Sequence, residues 1–111
     1  MKIVNRNALA VIPQKPFWDW LLSVDEQFDL EEIEESGDFN VYLIPEFENE
    51  DEIVEYLEKN YDQIFKNELL DWYSDESLWP KERTWEVFED WFTIEAHSLI
   101  YDMSNSPLQK L

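Results

Sequence analysis

The stretch Trp85 to Tyr101, WEVFEDWFTIEAHSLIY, contains two hydrophobic periods in immediate succession. Thr84 can cap a helix, and Trp85, Phe88 and Trp91 or Phe92 then recur at the three-to-four spacing of one helix face. From Phe92 the period becomes two. Phe92, Ile94, Ala96, Ser98 and Ile100 fall on one side of a strand, with Thr93, Glu95, His97, Leu99 and Tyr101 on the other. A helix that runs directly into a strand buries its apolar side against the same core, so the stretch predicts an α+β domain.

Working upstream, Ser74 to Arg83 reads as a loop, because Trp79-Pro80 disfavours helix and polar residues surround it. Before it, Asn49 with Glu52 three residues on marks a helix start, and Glu50 and Asp51 put negative charge where the helix dipole favours it. Ile53, Leu57, Tyr61, Ile64, Leu69 and Trp72 keep helical spacing, but Lys59-Asn60 has the character of a C-terminal turn. Two helices are therefore predicted across this region. Asn40 to Ile44 reads as a strand closed by Pro45, and Asp29 to Gly37 as a short capped helix ending at the only glycine. Phe17, Trp20, Leu21 and Val24 after Pro16 give another short helix, and Lys2 to Ile12 a strand ended by Pro13. The expected order is β-α-α-β-α-α-α-β. It describes a small, mainly antiparallel three-stranded sheet with helices packed on one face, spanning residues 1–103. The patternless tail 104–111 is expected to fray.

Length and composition agree with one self-sufficient domain. The chain has 111 residues, 44% of them apolar, and its six Trp, five Tyr and seven Phe supply enough buried area to offset a formal net charge of −19. No Lys or Arg occurs between Lys15 and Lys59, an interval dense in Asp and Glu. Such a surface repels nucleic-acid backbones and anionic membranes and attracts basic partners, although solubility alone is the plainer use of net charge. No run reaches the length of a membrane span, and Asn5, Arg6 and Asn7 interrupt any signal-peptide core, so a cytoplasmic address is expected.

Composition also excludes chemistry. A single glycine leaves no phosphate-binding loop, and one histidine without cysteine leaves none of the usual zinc sets. His97 and Ser98 point to opposite faces of a strand, which argues against a hydrolytic triad. The acidic runs Asp25–Gly37 and Glu46–Glu58 do not match calcium-loop spacing. No cofactor is indicated.

Two constellations remain. Glu95 and His97 share one strand face, and with Arg6 nearby they are the candidates for acid-base work; with Glu46 as a third ligand they are the candidates for a metal site. The plain alternative is a surface Glu-His pair. Arg6 itself sits with Val4, Ala8 and Ala10, which suggests an edge position or a carboxylate partner. The second constellation is Trp79 flanked by Asp75 and Glu76. Six tryptophans are too many for one small core, so Trp79 is expected to be half exposed. It would serve either as a plug folding its loop back or as an aromatic anchor for a basic partner.

The segments Asn5-Arg6-Asn7-Ala8, Pro16-Phe17 with Asp19-Trp20, Val41-Tyr42-Leu43-Ile44-Pro45-Glu46, Asp75-Glu76-Ser77-Leu78-Trp79-Pro80 and Trp91-Phe92 with Ile94-Glu95 and His97-Ser98 resemble a family of small acidic bacterial proteins of unknown function. The resemblance covers nearly the whole chain and implies a bacterial stand-alone domain, with no functional residue to carry over. The leading functional expectation is a non-enzymatic module that engages a basic protein. A small metal-binding protein or enzyme using Glu95 and His97 is the alternative.

Overall fold

The computed structural model describes residues 1–27, 29, 31 and 39–109. Two predicted strands appear in two pieces each: β1 (Lys2–Ile3) and β2 (Arg6–Pro13) at the start, β4 (Phe92–His97) and β5 (Tyr101–Asp102) at the end. β2 is the central strand. It pairs antiparallel with β3 (Asn40–Pro45) on one side and β4 on the other, giving the sheet order β3-β2-β4. β1 and β5 leave this sheet and pair with each other, extended by Val4 N donating to Ile100 O at 2.9 Å. Five positions separate Ile3 from Ala8, but four separate their partners Tyr101 and His97. The mismatch prevents one continuous ladder, since register in a ladder is kept residue for residue. Tyr101 therefore lies in the small ribbon, not in the row of Glu95 and His97.

Three helices complete the described elements: α1 (Lys15–Val24), α2 (Glu50–Leu70) and α3 (Trp85–Trp91), with a 3₁₀ turn at Glu76–Leu78. The fold class expected from the sequence is the one observed. The single long α2 corrects the two-helix expectation. Asn60 looked like a helix end, but its Nδ2 donates back to Tyr56 O at 2.8 Å, and Tyr61, Ile64 and Phe65 carry the apolar stripe straight on. Asn49 caps α2, its side chain accepting from Glu52 N at 3.0 Å, and Thr84 caps α3 by accepting from Val87 N at 3.2 Å. The short helix expected over Asp29 to Gly37 lies outside the described residues, apart from Asp29 and Glu31. No helix among the described residues is long and apolar enough to cross a membrane.

The core follows from the alternation of β2. Leu9 and Val11 face the helices and are fully buried with Phe17 and Leu21 of α1, Phe65 and Leu69 of α2, and Phe88 of α3. Phe92 is the hub. Its ring lies 5.2 to 5.5 Å from those of Phe17, Phe65 and Phe88, joining all three helices to the sheet. Each such pair adds roughly 0.5–1.5 kcal/mol beyond area burial. The opposite face of the sheet carries Arg6, Ala8 and Ala10, flanked by Val41 and Leu43, which are 61% and 43% exposed. Among the described residues, helices pack on the face of Leu9 and Val11, while on the other face the small Ala8 is buried at 5% exposure in the middle of the sheet.

Candidate binding groove

Of the residues expected to carry chemistry, Arg6, Glu95 and His97 fall in the row of β2 and β4 that alternates with the inward row of Leu9 and Val11. His97 stands opposite Ala8 and Glu95 opposite Ala10, both exposed. Arg6 lies at the end of the central strand, not at an edge, and its Nη1 donates to Asn5 O at 2.8 Å and Asn5 Oδ1 at 2.9 Å. Glu46, beyond the end of β3, is exposed. Among the described residues no group of three Asp, Glu, His or Cys side chains is placed to hold a metal ion, so Glu46, Glu95 and His97 do not form one.

The half-exposure expected of Trp79 does not hold. The side chain is 8% exposed, its Nε1 donates to Tyr73 O at 2.8 Å, and the Arg83 guanidinium sits 5.9 Å from its ring centroid. Trp20 fastens the same loop by donating to Leu78 O at 2.9 Å. Trp79 is the plug that folds its loop onto the core. Asp75 and Glu76 remain exposed, and Asp75 caps the 3₁₀ turn, accepting from Ser77 N at 3.0 Å and Ser77 Oγ at 2.7 Å. These bonds hold its carboxyl below the usual range.

Sequence reasoning missed a buried carboxylate. Glu68 of α2 faces β3, where its Oε2 accepts from Tyr42 Oη at 2.8 Å and from Asn40 Nδ2. Asn40 Nδ2 also donates to Asp71 at 2.6 Å, and Asn67 Nδ2 donates to Tyr42 Oη at 2.9 Å. Burial pushes the Glu68 carboxyl above its ordinary value and the charge of Asp71 adds to this, outweighing the two bonds it accepts. Burial likewise raises Tyr42. The cluster ties the sheet edge to the last turns of α2. A signal was available, because Glu68 falls three and four residues after Phe65 and Ile64 on the apolar stripe.

A groove of about 420 Å³ lies at the other edge of the sheet. Phe92, Ile94 and Ala96 of β4 form its floor, Ile53, Val54 and Leu57 of α2 one wall, and Trp85 and Phe88 of α3 its end. Its charged lining residues among the described ones are Glu50 and Glu89. A second cavity of about 220 Å³ continues it past Ala96 and is lined by Asn7, Phe47, Glu48 and His97; the two share Glu50, Ile53 and Ala96. The arrangement follows from local sequence. β4 alternates small and apolar residues inward, its outer edge has no strand partner among the described residues, and α2 opens with three carboxylates above it. An apolar floor with an anionic rim offers binding surface.

No family model matches the chain, and no curated protein or solved structure matches it either.

Proposed function

We propose that the chain is a non-enzymatic binding module whose groove takes a basic, partly apolar segment of a partner protein. The groove between α2, α3 and β4 carries this reading: its floor and walls are apolar, and the charged groups that line it are carboxylates. Apolar contact supplies affinity, and the carboxylates select positive charge and speed encounter. The formal charge of −19 extends the same selection over the surface and disfavours nucleic acid and anionic lipid. The outer edge of β4, which has no strand partner among the described residues, suits an extended segment, whose alternate side chains would enter the groove.

A synthetic peptide of alternating leucine and lysine tests it by calorimetry. Binding is expected at low salt, weakening as salt rises. It should be lost when leucine is replaced by serine, or when Val54→Arg places a cation in the groove wall. Failure to bind, or binding indifferent to salt and to Val54→Arg, overturns the reading.

A further inference from the structure

Asn7 is an anomaly of the central strand. It occupies the inward row with Leu9 and Val11, is 2% exposed, and its Oδ1 has no hydrogen-bond partner among the described residues. Its Nδ2 bond to Phe47 O is 3.5 Å, at the weak limit of such contacts, so the amide is held loosely on both sides. Buried acceptors are almost always paired, and an orphan on a sheet's central strand calls for a donor. Asn7 also lines the 220 Å³ cavity that continues the groove.

The other walls identify the donor. Glu48 and Glu50 line the cavity together with Asn49, His97 and Ser98, no Lys or Arg does among the described residues, and the half-buried Phe47, whose ring is tilted against Tyr56 with centroids 5.4 Å apart, supplies an aromatic wall. The amino end of α2 lies here too, and an uncapped helix start would favour an anion. Asn49 already caps it, and Glu50, Asp51 and Glu52 fill its first turn with negative charge. The acidic groups at this end of α2 are therefore Glu48, Glu50, Asp51 and Glu52, with the His97 imidazole beside them. A lone ammonium could satisfy one or two acceptors. A guanidinium presents five donors in a planar fork that can meet an amide oxygen and carboxylates together while lying against an aromatic face.

We propose that this cavity is the anchor pocket for an arginine side chain of the partner, its guanidinium donating to Asn7 Oδ1 and to the carboxylates of Glu48 and Glu50. The proposal rests on the groove reading and adds to it. The partner segment carries an arginine at one end of its apolar stretch, because the pocket and the groove meet at Glu50, Ile53 and Ala96.

The test is an NMR titration of the ¹⁵N-labelled chain with N-acetyl-arginine methylamide, its lysine counterpart and its uncharged citrulline isostere. The arginine compound should produce saturable shifts confined to the Asn7 side-chain amide, Phe47 and Glu48. Citrulline should bind roughly tenfold or more weakly, as expected for losing charge-assisted hydrogen bonds. The double variant Glu48→Gln, Glu50→Gln, altered only at exposed positions, should lower arginine affinity by a similar factor. Equal binding of lysine or citrulline, or shifts that spread over the acidic surface and persist in the double variant, overturn the assignment. So does the absence of any shift together with a crystal structure in which an ordered water alone satisfies Asn7. The leucine-lysine peptide contains no arginine and reports on the groove separately. Peptide bound with the arginine compound unbound removes the anchor and leaves the groove, whereas the converse removes the groove reading.

Discussion

Tyr42 donates its hydroxyl proton to Glu68 at 2.8 Å across 26 positions of sequence, and the carboxylate that receives it is 3% exposed. A carboxyl whose pKa is higher in the folded chain than in the unfolded one binds its proton more tightly when folded. Its stabilising contribution is therefore fullest below the unfolded value, near 4.5, and is lost as pH rises through the folded value. Glu68→Gln keeps an acceptor for Tyr42 and cannot ionise. Urea unfolding of both proteins from pH 4.5 to 8 should show the variant gaining stability on the wild type as pH rises. Apart from Asp71, whose charge is coupled to Glu68, the remaining carboxylates are common to both and cancel in the difference. A difference that is flat or falls with pH would show that the hydrogen bonds from Asn40 and Tyr42 outweigh burial.

Trp79 gives a second expectation. Because it is buried and its indole N–H is spent on Tyr73 O, Trp79→Ala should cost about 3–5 kcal/mol, the range for removing a large buried aromatic. Trp79→Phe keeps most of the packing and forfeits the hydrogen bond, at about 1 kcal/mol. Denaturant midpoints read both. If the alanine variant loses less than the phenylalanine one, the loop does not depend on this plug.

The sequence carried the fold further than it carried the site, for a physical reason. Period, caps and breakers act over three to four residues, and they placed the Trp91-Phe92 change from helix to strand and the caps at Asn49 and Thr84. Lys59-Asn60 misled because the local chemistry of Asn60 favours a turn, whereas the core contacts of Tyr61, Ile64 and Phe65 override it. The roles of Asn7 and Glu68 depend on neighbours 40, 28 and 26 positions away, and no local pattern contains them. The unread signal was a polar residue in each buried row, Asn7 with Leu9 and Val11 and Glu68 with Ile64 and Phe65. Glu95 and His97 were placed correctly on one strand face, and only the sheet's pairing revealed that the face opposite the helices is the one that holds them.

The start of α2 offers a third test. Asn49 Oδ1 accepts from Glu52 N at 3.0 Å, and Asn49 Nδ2 donates to Glu52 Oε1 at 3.3 Å. Asn49→Ala should cost about 1 kcal/mol and Asn49→Ser much less, since serine caps comparably. Because α2 forms one wall of the groove, amide exchange over Glu50 to Val54 should quicken in the alanine variant alone. Equal stability of both variants would mean that this helix end is fixed by packing.

Charge supplies the last expectation. The chain carries 27 acidic and 8 basic residues, and the ion pairs among the described residues are few: Lys15–Asp19, Lys59–Glu55, Lys66–Asp62 and Arg83–Asp62. The first three are i,i+4 pairs on exposed helix faces, worth a few tenths of a kcal/mol each. The fourth is partly sheltered. Burial pulls Asp62 upward, but Lys66 and Arg83 outweigh it and hold its carboxyl below the ordinary value. Against these few attractions stands repulsion among the remaining carboxylates, which acts over about 30 Å at 0.01 M salt and about 10 Å at 0.1 M. Salt therefore screens more repulsion than attraction, and the melting temperature should rise between low and moderate NaCl. Potassium chloride should act alike, because the effect is screening and needs no bound ion. A melting temperature that stays level or falls would mean that the four ion pairs balance the crowding and that the acidic surface is neutral in the folding energetics.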